Sequence, residues 1–120
     1  VTGAPASSIS AAEAIPLVED GSLWLLDVRE GYEWQSGHAP GAHHIPLGEL
    51  ALRQGELPDD ARIAVICHLG QRSLMVADAL ADADYDVVDI AGGIVAWQAS
   101  GGELVSAVSG PSGDAGTESR

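Results

Sequence analysis

Apolar residues fall into two rhythms along the chain, short unbroken runs and spacings of three to four, and the two alternate. Residues 23–28 (Leu-Trp-Leu-Leu-Asp-Val) and 63–66 (Ile-Ala-Val-Ile) are continuous runs, as expected of parallel strands covered on both faces, and residues 86–90 (Asp-Val-Val-Asp-Ile) predict a further strand. Between them lie helical patterns. Ser10-Ala11-Ala12-Glu13 has the spacing of a capping box, so a helix starts there, and Pro16 predicts a kink or break near Ile15. Residues 30–36 and 47–53 read as short helices, with a loop over 55–60. Residues 73–83 read as a helix whose Asp78 and Asp82 share a solvent face, and residues 94–99 as a short helix after a Gly92-Gly93 turn. Gly37-His38-Ala39-Pro40-Gly41 is a turn, followed by an extended piece over 44–46. Strands alternating with helices predict an α/β fold, a parallel sheet layered with helices on both faces.

The ends break this rhythm. Residues 1–7 are small and aperiodic and read as a flexible arm. Residues 105–120 are rich in Ser, Gly and Ala with scattered acids and read as a flexible tail, which leaves 8–104 as the domain. A chain of 120 residues has room for one core, filled by aliphatic side chains and alanine because there is no Phe and only three Trp and two Tyr. Eighteen acidic residues against five basic ones give a formal charge of −13, which opposes nucleic acid and anionic membrane surfaces as partners. No stretch approaches the ~20 apolar residues of a membrane span. A single cysteine excludes an internal disulfide framework, and a thiol that must stay reduced fits the cytoplasm.

That cysteine ends the 63–66 run. Cys67 stands directly before a helical pattern, among unpaired amides and the positive end of a helix dipole, and both favour an anionic sulfur. It is a candidate nucleophile, with an inert core thiol as the alternative. A loop curling from Cys67 to Arg72 can turn the amides of His68, Leu69, Gly70, Gln71 and Arg72 inward as an anion cradle. Gly70 either lets this loop turn tightly or is an ordinary helix-leading glycine. Arg72 either braces the loop by pairing with Asp27, Glu30 or Glu33, or attracts an anionic donor; loop support is the preferred reading.

Cys67-x4-Arg72-Ser73, with Asp27-Val28-Arg29 and Gly37-His38-Ala39-Pro40-Gly41 upstream and Gly92-Gly93-Ile94-Val95-Ala96-Trp97 downstream, resembles the rhodanese family over residues 8–104. The resemblance implies a single rhodanese-like domain with a mostly parallel five-stranded sheet. It also implies a sulfurtransferase in which Cys67 takes a sulfane sulfur from thiosulfate or a persulfide donor, holds it as a persulfide and passes it to cyanide or a thiol. Residues 68–73 would be the binding loop, with Asp27, Arg29, Glu33 and His38 in support. His68 has a binding role at most. With no fixed positive charge at His68, Leu69 or Gln71, efficient use of thiosulfate is in doubt, and a protein or small-molecule persulfide is the other donor.

This chemistry calls for no cofactor, no metal and no partner subunit, so a monomer is the default, with a sulfur-accepting protein as a further partner. Related phosphatases have one more residue between cysteine and arginine, which ranks phosphoester hydrolysis below sulfur transfer. A non-catalytic partner-binding or redox-sensing module is the other alternative. His43 and His44 point to opposite faces of an extended piece, against a zinc site. Residues 82–86 begin like a calcium loop, but Val87 and Gly93 stand where Gly and Glu are needed. Trp24, Trp34 and Trp97 read as core or crevice-wall residues.

Overall fold

Each apolar run becomes a strand, and neighbouring strands bury one another. The computed structural model describes residues 6–106. Strands β1 (Ser7–Ile9), β2 (Leu23–Asp27), β3 (His43–His44), β4 (Arg62–Ile66) and β5 (Val87–Ile90) form one sheet in the order β1-β5-β4-β2-β3. The expectation was mostly parallel; all four pairings are parallel. Helices α1 (Ala11–Glu19), α2 (Gly31–Ser36), α3 (Gln71–Asp82) and α4 (Gly93–Ala99) complete the α/β fold.

Strand alternation divides the core in two. Leu23, Leu25, Ala64, Ile66, Val88 and Ile90 pack with α1 and α4 through Ala11, Ala14, Ile94 and Trp97. Leu26, Val28, Ile63, Val65, Cys67 and Val87 pack on the other face with Val76, Ala77 and Leu80 of α3. Cys67 therefore continues the inward register of Ile63 and Val65, which aims its side chain at the start of α3 rather than at solvent.

Several boundaries differ from the sequence expectation. Ser10 and Glu13 form the capping box, with Glu13 N donating to Ser10 Oγ and Ser10 N to Glu13 Oε1, both at 3.0 Å. The break near Ile15 does not occur. Pro16 removes one amide, the one that would reach the Ala12 carbonyl, yet its own carbonyl accepts from Asp20 N at 3.0 Å, and buried Ala11 and Ala14 hold the helix on the sheet. Residues 47–53 are not an α-helix. One 3-10 turn, Leu47–Glu49, opens this stretch and a second, Gln54–Glu56, follows it; the stretch contains Gly48 and is stapled by Arg53 to Glu49 (2.9 Å) and Glu56 (2.8 Å).

β1 starts at Ser7, inside the segment read as an arm, and Ala6 N donates to Asp78 Oδ1 at 2.9 Å, so Asp78 is half-buried rather than purely solvated. Val105 and Ser106, read as tail, are docked. Val105 exchanges two 2.8 Å backbone hydrogen bonds with His38, and Ser106 Oγ donates to Gln35 O at 2.9 Å, because the sharp turn after α2 leaves its backbone open to an antiparallel partner. The rest of the expected arm and tail lies outside the described residues. Among the described residues, no helix is long and apolar enough to cross a membrane.

The two-sided core makes a direct prediction. Leu26 is fully buried between β4 and the α3 side, so Leu26→Ala is expected to cost about 2–5 kcal/mol, read as a lower denaturant midpoint at unchanged slope.

Candidate active site

β2 and β4 run side by side and end together, with Asp27 opposite Ile66 and the Val28 amide donating to Ile66 O at 3.1 Å. The two chains then diverge into the segments that make the site. After β4, Cys67 enters a turn that becomes α3 at Gln71. Gly70 stands at the helix N-cap with φ of 105°, a left-handed conformation suited to glycine, and its amide donates to Cys67 Sγ at 3.0 Å. A side chain at Gly70 would also press on the Gly92 amide. Both observations give this glycine a specific conformational task.

The loop is locked from the α4 side. Ile94 N donates to Cys67 O at 2.8 Å and Val95 N to His68 O at 3.3 Å. A Cβ at Gly93 would overlap both of those carbonyl oxygens, and Gly93 has φ of 59°, so the Gly92-Gly93 turn lets α4 close on the loop. Among the amides expected to face inward, that of Gly70 reaches the sulfur. Those of Leu69, Gln71 and Arg72 have no protein acceptor among the described residues and stand free at the helix start.

Arg72 Nη1 and Nη2 donate to Glu33 Oε1 and Oε2 at 2.8 and 2.9 Å, a bidentate pair that leaves Asp27 and Glu30 to other partners. Glu33 Oε1 also accepts from Glu30 N at 2.9 Å. The Arg72 guanidinium holds the Glu33 carboxyl at about 2, well below its ordinary 4.5, against the opposing effect of partial burial; in return Glu33 raises the basicity of Arg72. Asp27 pairs with Arg29. Arg29 Nε lies 3.0 and 3.1 Å from the two carboxylate oxygens and Nη2 2.8 Å from Oδ2, while Nη2 also donates to Gly37 O at 2.7 Å and Nη1 to Glu33 O at 3.3 Å. Both residues are buried.

His38 stacks on Trp34 (3.5 Å between ring centres) and its Nδ1 lies 2.9 Å from Trp34 O. His44 stacks on the same Trp34 and places Nε2 2.7 Å from Arg29 O, and His43 stacks on Trp24. These histidines are engaged with rings and backbone, and no group of three or more metal-ligating side chains occurs among the described residues. His68 and Leu69 are exposed on the loop. A cleft of about 260 Å³ beside it is lined by Arg29, Tyr32, Glu33, His68, Ile94 and Leu104 among others. Cys67 is only 1% exposed and does not line it.

Sequence reading missed one residue of this neighbourhood. Asp89 of β5 is 3% exposed and accepts from Ser73 Oγ at 2.5 Å, and Ser73 Oγ lies 3.4 Å from Cys67 Sγ. The available signal was a carboxylate inside an otherwise apolar strand run, Val87-Val88-Asp89-Ile90.

A lone thiol at the end of a central parallel strand, under a loop closed by a helix start and a glycine turn, defines a cysteine-loop α/β domain. The chain belongs to the rhodanese-like domain family, whose model matches residues 10–100. It is 38% identical over 104 residues to the HTH-type transcriptional regulator Rv0324 of Mycobacterium tuberculosis, covering 84% of this chain and 46% of that protein. The chain thus spans less than half the length of the first curated relatives it matches. It is 30% identical over 98 residues to the thiosulfate sulfurtransferase GlpE of Pseudoalteromonas translucida, covering 81% of this chain and 93% of that one. The crystal structure of a rhodanese-related protein from Thermoplasma volcanium superposes with a TM-score of 0.77 at 33% identity, over 82% of this chain and 97% of the other.

Because the Glu33 carboxyl is depressed in the folded protein, its stabilisation is complete above its ordinary 4.5 and is lost as pH falls from there towards about 2. Glu33→Gln is expected to lower stability by about 1 kcal/mol at neutral pH and to remove this part of the acid dependence. Denaturant titrations at neutral pH and through the acid range measure both effects.

Proposed function

We propose that the domain over residues 8–104 is a sulfurtransferase working through a persulfide on Cys67. The observation that carries this reading is the Gly70 amide at 3.0 Å from Sγ, with further free amides beside it at the start of α3. Such a group of donors stabilises negative charge on sulfur. In the first half-reaction Sγ attacks the outer sulfur of the donor, the Sγ–S bond forms, and the donor's S–S bond breaks with its electron pair leaving on sulfite or a thiolate. In the second, an acceptor thiol or cyanide takes the outer sulfur and Cys67 leaves as the thiolate, so no external oxidant or reductant is consumed.

Burial of Cys67 under a short loop suits transfer of a single sulfur atom, which needs little room. The backbone of 68–73 forms the binding loop, Ser73 and Gly70 touch the sulfur, and Asp27, Arg29, Glu33 and His38 hold the loop's surroundings in place. Because both terminal nitrogens of Arg72 are occupied by Glu33, the site offers little free positive charge to a dianion. A protein or small-molecule persulfide therefore fits as donor better than thiosulfate. The 30%-identical thiosulfate sulfurtransferase supports the reaction class, and an obligatorily reduced thiol suits the cytoplasm.

Two variants test this reading. Cys67→Ser is expected to abolish sulfur transfer to cyanide from both donors while thermal unfolding stays near wild type; transfer at the wild-type rate would overturn the assignment. Arg72→Ala is expected to lower transfer from both donors by about tenfold, equivalent to about 1.4 kcal/mol, because the loop loses its brace. A loss confined to thiosulfate would instead make Arg72 a donor-binding group.

A further inference from the structure

At the end of α3 away from the cysteine loop, an apolar groove of about 210 Å³ lies between the helix and the segment that connects β3 to β4. Buried Leu80 and half-buried Leu50 line its depth, and exposed Ala51, Gln54, Ala79 and Ala83 line its rim. Gln54 Nε2 donates to Tyr85 Oη at 3.5 Å and ties the two sides together. The alanines leave space that larger side chains would have filled. Leu52, next to Ala51 in the chain, is 91% exposed, and Met75, one turn before Ala79 on the same face of α3, is 58% exposed. Met75, Ala79 and Ala83 thus form an exposed apolar row about 12 Å long, two turns of helix. Exposed apolar surface in this arrangement marks an interaction site.

Charge decides what fits it. Every arginine among the described residues is in an ion pair, Arg29 with Asp27, Arg53 with Glu49 and Glu56, Arg62 with Asp86, and Arg72 with Glu33, and the chain has no lysine. Asp82 and Asp84 stand on either side of Ala83 with no ion-pair partner among the described residues, and Arg53, beside Gln54, sets one cation against two carboxylates. The rim of the groove is therefore negative. A second copy of this chain, with a formal charge of −13, would bring like charge to like. Neither side of the groove is a sheet edge, so an added strand would find no ladder to join, whereas a helix satisfies its own backbone and needs only an apolar face to dock.

We propose that this groove docks a partner protein through a short amphipathic helix, aliphatic on the face that enters the groove and rich in Lys and Arg on its flanks. The aliphatic side chains fill the space over Ala79 and Ala83, and the cations meet Asp82, Asp84 and the two glutamates around Arg53. Ala79 is two turns along α3 from Gln71, so a partner held here leaves the cysteine loop open. Docking requires nothing of Cys67 and stands whatever chemistry its sulfur carries.

A displayed library of helical peptides with randomised surface positions, selected on the full chain and counter-selected on the Ala79→Arg variant, tests this. Ala79 is exposed, so the variant keeps the fold while placing a long cation across the groove. The selected helices are expected to carry aliphatic residues three or four apart and a net positive charge. One such peptide, made synthetically, is expected to shift the amide resonances of residues 50–54 and 79–85 and to bind about tenfold more weakly to Ala79→Arg. Asp82→Lys, a charge reversal that suits a helix C-terminus, is expected to weaken it about threefold. The proposal is overturned if no helix is selected that Ala79→Arg rejects, if the selected helices lack net positive charge, or if binding is indifferent to Asp82→Lys. Self-association of the chain in sedimentation that Ala79→Arg abolishes also overturns it, because the occupant is then a second copy.

Discussion

Burying the Arg29 guanidinium sets the demand that the cysteine-loop edge of this molecule is built to meet. A cation taken out of water costs several kcal/mol unless it is paired and its remaining donors are satisfied. Here Asp27 supplies the pairing charge, and the carbonyls of Glu33 and Gly37 take up the rest. Satisfying Arg29 thereby fixes the end of β2, the course of α2 and the turn that follows it. The Arg29 carbonyl in turn receives His44, tying the short edge strand β3 to the same node. With α2 placed, Glu33 presents its carboxylate to Arg72, and the first turn of α3 is braced from the outside.

Cys67 is held by a different means, close approach of backbone. Two carbonyls of the cysteine loop accept amides from the start of α4, which is possible only because Gly93 carries no side chain. On the inner side Cys67 belongs to the hydrophobic core shared with α3, so the alternatives of core thiol and reactive thiol are not exclusive. The residue is packed as a core side chain and presented by a loop at once. The Gly70 amide lies beside its sulfur, and the Ser73 hydroxyl, itself bonded to Asp89, lies 3.4 Å away.

Much of this was legible in the residues. Continuous apolar runs revealed two of the three central strands, β2 and β4, because strands covered on both faces have no polar side to show, and the Ser10–Glu13 spacing revealed the start of α1. The cysteine-loop spacing located the thiol at the end of β4 and the turn into α3. What the residues did not reveal depends on how elements are placed relative to one another. Three acids were open to Arg72, and the orientation of α2 selects Glu33. Pro16 looked like a helix breaker, but one missing hydrogen bond is outweighed by packing on the sheet. Val105 looked like tail because its neighbours are small and polar, whereas its backbone finds a partner at His38. Asp89 was visible as an acid inside an apolar strand, yet its contacts with Ser73 and Ser8 depend on how β5 sits beside α3 and β1.

Intact mass of the full chain, measured before and after incubation with a persulfide donor and again after cyanide, tests the central claim most directly. The account predicts one added sulfur atom, located on the peptide containing Cys67 and removed by cyanide with release of thiocyanate. A chain that gains no sulfur from a persulfide donor, or gains it elsewhere than on Cys67, contradicts it.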